Sequence, residues 1–293
     1  MENSLLSDEI NYQNATISNN FVNYWLDTFW MENGDKRTEN YPLMSSFRYP
    51  LSILCIYLTF VLYVGPRLMK NRKPFSLKPI LIVYNLTMSL VNAYFFIYAM
   101  YELATYDDPR VNVTLADLFN VDFHDTHARE KNLSIKMNYL FAYLLSKYTD
   151  MFDTIFFVLR KKQVQVTGLH VYHHSMVPTF GWIYFRLRPY NVLAAMFAFL
   201  NTPIHTLMYA YYGLAAIGPH MQKYLWWKRY ITQVQIFQFV LLFIYAVYFS
   251  IFQKGYHKLY VFDIYFQSTL YLILFTRFYF RKYDTKGKNI KSE

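Results

Sequence analysis

The chain has 293 residues, 55% hydrophobic, 21% aromatic and only 16% charged, with a formal net charge of +10. Soluble domains carry about a quarter charged residues, so the deficit demands an explanation, and disorder is excluded. The one cysteine, Cys55, excludes a disulfide framework and any Cys-rich metal site.

Residues 1–49 are polar, acidic and Asn-rich and lack the basic-then-apolar pattern of a cleaved signal, so the first apolar span is expected to act as its own insertion signal. Spanning a bilayer takes about 20 mostly apolar residues. Seven stretches qualify as candidate spans: 47–64, 80–103, 137–159, 164–185, 192–214, 230–252 and 259–280. The second contains ILIVYNLTMSLVNAYFFIYAMY, from Ile80 to Tyr101, without one charge. Arg160, Lys161 and Lys162 separate the third and fourth, which predicts a tight helical hairpin with those cations at the water interface. The expected fold class is all-α and polytopic: a tail over residues 1–46, a seven-helix membrane domain over 47–280 and a basic tail over 281–293.

Seven spans put the termini on opposite sides. With the C-terminus cytosolic, the cytosolic segments hold Arg67, Lys70, Arg72, Lys73, Lys78, the Arg160–Lys162 run, Lys223, Lys228, Arg229, Arg281, Lys282, Lys286, Lys288 and Lys291, against only Asp284 and Glu293. That is the positive-inside pattern, and it predicts a luminal N-terminus. The sequons at Asn14, Asn112 and Asn132 then all fall on the luminal side, whereas the one at Asn85 is inside a span and is expected to be unused. The closing RKYDTKGKNIKSE reads either as a solvated basic segment at the cytosolic leaflet or as a retrieval tail.

Ionisable side chains at membrane depth are costly and default to functional candidates. Lys147, Asp150 and Asp153 follow one another at i, i+3, i+6 along one side of the third span. The fourth carries His170, His173 and His174, which on a helix lie within an arc of about 100° and so face one cavity. Asn201 and His205 stand at i, i+4 in the fifth, continued by Met208 and Tyr212, and Gln235 and Gln238 at i, i+3 in the sixth. Four helices thus turn polar stripes away from lipid, which predicts an internal polar chamber. Pro178 and Pro203 each remove a helical amide, freeing the carbonyls of His174 and Phe199 beside the histidines and bending the chamber wall. A lone buried His is more often a packing residue than a catalyst, but three within five residues exceed any packing need. The Lys147/Asp150/Asp153 set divides evenly between an internal ion pair and a direct role with substrate, and the glutamines could simply join helices. His124, His127, His220 and His257 are expected to be bland.

The chemistry has three readings. Membrane di-iron enzymes use several separate His boxes, and one HxxHH plus one further deep His falls short of that; a zinc would need a carboxylate or another imidazole supplied by the fold. A receptor or transporter would bind a ligand in the same stripes without chemistry. Acyl transfer uses a neutral imidazole as nucleophile toward a thioester. Cys55 lies far from every polar stripe, and no Ser sits in a nucleophile elbow. A stock of 30 Tyr and 27 Phe suits a cavity for an acyl chain, and the cytosolic cations suit the phosphates of a carrier such as CoA.

LHVYHH at Leu169 to His174, preceded by DTIFFVLRKKQVQV from Asp153, resembles the signature of the very-long-chain fatty acid elongases. NTPIHTLMYAYYGL from Asn201 is similar to that family's second motif, and Thr232, Gln235, Gln238 and Phe239 to its third. The resemblance implies an endoplasmic reticulum condensing enzyme, a 3-oxoacyl-CoA synthase, with six of seven spans ringed around a tunnel closed at one end. Acyl-CoA and malonyl-CoA would give a 3-oxoacyl-CoA two carbons longer, CoA and carbon dioxide, as the first step of the elongation cycle. It implies His173 as the acylated nucleophile, His174 and His170 as residues that tune or orient it, and Asn201 and His205 as donors to the thioester oxygen or enolate. Lys147, Asp150, Asp153, Tyr211, Gln235 and Gln238 would then meet substrate. Beyond the two CoA substrates, no cofactor, metal or nucleic acid is implied; the bilayer and the other enzymes of the cycle are the expected partners. Asp150 stands where the family favours Glu, Gly168 where an aromatic precedes the His box, Pro203 where a bulky apolar residue is common, and Arg188-Pro189-Tyr190 where Pro-Gly-Gly is frequent. These departures bear on chain-length preference more than on reaction type.

Overall fold

The structure is a computed structural model and describes residues 20–104, 133–189, 191–252 and 258–284. The sequons at Asn14, Asn112 and Asn132, His124, His127 and His257, and the lysines beyond Asp284 lie outside them. The described residues are mainly helical, with no strand among them.

The long helices are α1 (Arg48–Met69), α2 (Lys78–Ala104), α3 (Leu133–Thr149), α4 (Phe152–Leu159), α5 (Gly168–Leu187), α6 (Val192–Ile217), α7 (Lys228–Phe252) and α8 (Lys258–Tyr279). A helix covers each apolar stretch. By length and composition, α1, α2, α7 and α8 are able to cross a membrane. The helices bearing the densest polar stripes, α3, α5 and α6, are not among these four: α3 is only 17 residues long, and the three histidines dilute the apolar content of α5.

Two boundaries differ from expectation. The third stretch is not one rod: the chain turns at Asp150 and Met151, where the amides of Met151 and Asp153 bond three residues back, to Tyr148 and Asp150 (3.2 Å each). The fourth helix starts at Gly168, not Val164, because Gln163–Gln165 form a 3₁₀ turn and the Thr167 side chain caps the helix by accepting from the His170 amide (3.2 Å). The cationic hairpin is therefore longer than the Arg160–Lys162 run alone. It is tied down, since Lys161 Nζ donates to the Lys70 carbonyl (3.1 Å) and the Phe75 amide to the Leu159 carbonyl (3.1 Å). These bonds bring the first two cationic loops to the same end of the bundle.

Within α1 the backbone widens to a π-helical turn over Phe60–Val64, immediately before Pro66. Proline supplies no amide to the preceding turn, and a π-turn absorbs the mismatch. Gly65 follows for a steric reason: a Cβ there would lie 2.7 Å from Cγ1 of the buried Val158 on α4. Tyr57 fixes the same contact by donating to Thr154 Oγ1 (2.8 Å). Helix α2 packs along α6, α3 along α5, and α7 along α8. The α2–α6 seam is pinned by Ser89 Oγ donating to the Thr206 carbonyl (2.9 Å). Asn85 lies inside α2 at 4% exposure, its amide turned back to the Leu81 carbonyl (2.6 Å).

Residues 20–46, expected as a polar tail, instead pack on the ends of α3 and α5. Their periodicity is weak, but Trp30 and Met44 are buried against Met137, Leu144, Trp182 and Phe185. Trp30 meets Trp182 edge-on (5.0 Å between centroids), and Trp182 Nε1 donates to the Leu43 carbonyl (2.8 Å). Arg186 is fully buried beneath this cap and donates through Nη1 to the Asp35 carbonyl (2.7 Å) and Thr38 Oγ1 (2.9 Å). Gly34 lies directly on its guanidinium, leaving no room for a Cβ. Gly34→Ala must displace that group or the Trp30 carbonyl, and overpacking of this kind costs about 1–3 kcal/mol. Thermal unfolding in detergent should register a lower midpoint, and an unchanged one would show that the cap is not rigid.

Candidate functional site

Helix α5 runs from the cationic hairpin inward, so its first two turns present His170, His173 and His174 to the bundle interior. His170 and His174, one turn apart, have ring centroids 4.1 Å from each other, and His173 and His174 are 5.4 Å apart. Helix α6 returns antiparallel after a short turn whose Asn191 caps it by accepting from the Leu193 amide (2.9 Å). The return brings His205 to 6.3 Å from His173, ring to ring. Tyr271 of α8 closes the other side, 5.2 Å from the His173 ring. The predicted imidazoles therefore share one chamber.

The sequence-predicted acids and lysine meet them from α3 and α4. Lys147 Nζ pairs with Asp150 Oδ2 at 3.0 Å, both groups buried, and His205 Nδ1 lies 3.8 Å from that oxygen. The turn at Asp150 keeps Asp150 and Asp153 on one side, where Tyr209 Oη is 2.8 Å from a carboxylate oxygen of each. Asn201 and Gln238 are buried, with Asn201 Oδ1 and Gln238 Nε2 lacking hydrogen-bond partners. Gln235 turns to Met208 Sδ (3.7 Å), and Tyr211 packs against Trp227 (5.5 Å) beneath Lys228 Nζ (5.3 Å) at the α6–α7 junction. No described contact joins Gln235 or Tyr211 to the imidazoles.

Buried polar groups are nearly always paired. Here Nε2 of His170, Nδ1 of His173, His174 and His205, and the Tyr271 hydroxyl are buried without a protein partner. Such a concentration marks a place built to receive polar atoms. It does not resemble a metal cage: among the described residues, no three or more His, Cys, Asp or Glu groups converge as ligands.

From Lys147 and Tyr271 a cavity of about 190 Å³ extends between α3, α5, α6 and α8, away from the cationic hairpin. Met176, Val177, Phe180 and Ala198 are among its apolar lining residues. Part of its wall is polar: Tyr184 donates to Asp263, Gln267 Nε2 to the same carboxylate (3.3 Å), and Tyr172 to Gln267 Oε1 (3.1 Å).

Sequence reasoning missed Tyr209, Tyr271 and Asp263. Tyr209 stands four residues after His205 on the same face and was legible from that spacing. Tyr271 and Asp263 lie on a helix whose apolar residues surround it evenly, so no stripe singled them out.

A helical, multi-pass membrane protein with an inward-facing polar chamber at the head of an apolar cavity is the class these features define. The chain belongs to the ELO (GNS1/SUR4) family, whose profile matches residues 42–291. It is 38% identical over 271 residues to very long chain fatty acid elongase 1 of Mus musculus, covering 89% of this chain and 90% of that one. To very long chain fatty acid elongase 7 of Rattus norvegicus it is 38% identical over 263 residues, 89% of each. A Drosophila melanogaster very long chain fatty acid elongase 7 is 38% identical over 275 residues, 92% of this chain and 79% of its own. Fatty acid elongation is thus the activity to which the family assignment points.

Proposed function

We propose that this protein condenses a long-chain or very-long-chain acyl-CoA with malonyl-CoA in the endoplasmic reticulum membrane, giving a 3-oxoacyl-CoA, CoA and carbon dioxide. The observation that carries the reading is the convergence of His170, His173, His174 and His205, with ring nitrogens unpartnered, beside Tyr271, which also lines the apolar cavity. His173 attacks the thioester carbonyl; its imidazole proton leaves with the CoA sulfur as thiol, and a neutral acyl-imidazole remains. Malonyl-CoA then loses carbon dioxide, and its enolate attacks the acyl carbon and expels the imidazole, which takes up a proton. Asn201 and His205 stabilise the oxyanion and enolate, and His170 and His174 orient the nucleophile. Burial protects the enolate from quenching by water.

The acyl chain occupies the cavity toward Asp263, while the cationic loops near Lys70 and Lys161 receive the CoA phosphates. Lys147, Asp150 and Asp153 support the head of the chamber, and Tyr211, Gln235 and Gln238 line the approach of substrate. Seven spans, six of them ringed around the tunnel, with the N-terminus luminal and the C-terminus cytosolic, complete the arrangement. Neither metal nor redox cofactor enters the scheme, and the other enzymes of the elongation cycle are its natural partners.

The test is extension by purified protein of a ladder of saturated and unsaturated acyl-CoA donors with malonyl-CoA, paired with metal analysis of the same sample. Products two carbons longer from metal-free protein support the reading. Stoichiometric iron or zinc whose removal ends turnover would replace it with a metal-dependent lipid oxidoreductase, and no product at all with a transporter or receptor.

A further inference from the structure

Tyr209 carries one hydroxyl hydrogen, yet its oxygen is 2.8 Å from carboxyl oxygens of both Asp150 and Asp153. One hydrogen satisfies one of these contacts. The other is a hydrogen bond only if a carboxyl supplies its own proton. Charge counting agrees, because among the described residues Lys147 is the one buried cation beside the pair, and one ammonium with two carboxyls is neutral when a single extra proton is held. Asp150 has the ammonium at 3.0 Å, so the proton belongs on Asp153.

The groups facing this unit are known from every side. Tyr143 and Lys147 approach from α3, Tyr84 from α2 with its hydroxyl donating to the Thr149 carbonyl (3.1 Å), and Tyr57 from α1 with its hydroxyl on Thr154 (2.8 Å). His170, His173 and His174 stand on α5, and His205 and Tyr212 on α6. Among them His205 is 5% exposed, and its Nδ1 is unpartnered and 3.8 Å from Asp150 Oδ2, a gap that ring rotation or one water closes.

Resting on the condensation reading, we propose that the Asp150–Tyr209–Asp153 unit is the reservoir for the one proton that each condensation consumes, delivered through His205. The balance requires such a source. Acylation of His173 is proton-neutral, the imidazole hydrogen leaving on CoA thiol. In the second half-reaction the malonyl C–C bond breaks to release carbon dioxide, the new C–C bond forms, the acyl–nitrogen bond breaks, and the departing imidazolate needs one proton. Asp153 passes its hydrogen to the Tyr209 oxygen, Tyr209 passes its own to Asp150, and Asp150 passes one through His205 to His173. Water reloads Asp153 between turnovers. Asp153 and Tyr209 touch no reacting atom and act as positioning residues for that proton.

Asp153→Asn is the informative variant, since its amide N–H imitates the protonated carboxyl toward Tyr209 but cannot be given up. CoA release from acyl-CoA alone should stay within a few-fold of wild type, while product formation with malonyl-CoA falls roughly 10²-fold. Tyr209→Phe should give the same split if Asp153→Asn fails to fold. Wild-type condensation in Asp153→Asn, or equal loss in both half-reactions, overturns the proposal. The infrared spectrum of the full chain should contain the carbonyl band of a buried carboxylic acid that Asp153→Asn removes; its absence from wild type overturns the proposal whatever the activity. Wild-type protein releasing no CoA and forming no product would sink the condensation reading instead, with the infrared band still deciding where the proton resides.

Discussion

His173→Ala should reduce condensation by about 10⁴-fold or more, the scale on which removal of a covalent nucleophile acts. The fold should survive the change, because among the described residues the His173 ring meets only the rings of His174, His205 and Tyr271 at 5.2–6.3 Å and its Nδ1 anchors no other element. Mass spectrometry of wild-type protein incubated with acyl-CoA alone should find one acyl group added, on His173, and that adduct should vanish in the variant. His174→Ala is the necessary companion. The His174 ring lies 4.1 Å from His170 and 5.4 Å from His173, so its removal loosens the nucleophile while leaving the acyl-accepting nitrogen in place. A reduced rate with the adduct retained is expected there. Acylation of His174 or His205 in the wild type would assign the nucleophile elsewhere, and full activity in His173→Ala would end covalent catalysis at this residue.

The polar stripes were legible because their cost is high and their period simple. An imidazole triplet at i, i+3, i+4 cannot avoid sharing a face, and α5 places His170, His173 and His174 in one chamber. What spacing does not encode is which stripe meets which. His205 reaches Asp150 only because α6 returns beside the turn that interrupts α3 and α4, and that turn has neither proline nor glycine to announce it. The aromatic partners were hidden for a different reason. In a chain with 30 tyrosines, a phenol such as Tyr209 or Tyr271 is set apart by its neighbours in space and by nothing in composition. The N-terminal cap escaped notice likewise, since its hold on the bundle rests on Trp30, Met44 and backbone acceptors for Arg186 within a stretch of polar character.

Lys147→Met should be the most damaging substitution for stability, and its pH dependence carries the argument. Lys147 Nζ is 3% exposed, bonded to Asp150 and 5.1 Å from the face of Tyr143, so the thioether fills its place but offers no charge. Breaking a buried pair from one side costs about 3–5 kcal/mol, because the surviving charge is left without compensation. The variant restores neutrality only by binding a second proton across Asp150 and Asp153. Its folded state then holds two more protons than the unfolded chain at neutral pH, so stability falls as pH rises, by up to about 2.7 kcal/mol per unit. The wild type, neutral with one proton, should lose stability more gently over the same range. Adding Asp150→Asn to Lys147→Met removes the uncompensated carboxylate and should return most of the loss, flattening the pH dependence as it does so. Reversible unfolding in detergent across neutral pH measures all three proteins. Equal destabilisation of the single and double variants would mean that Lys147 serves packing alone, and the charge balance from which the bound proton was inferred would fail with it.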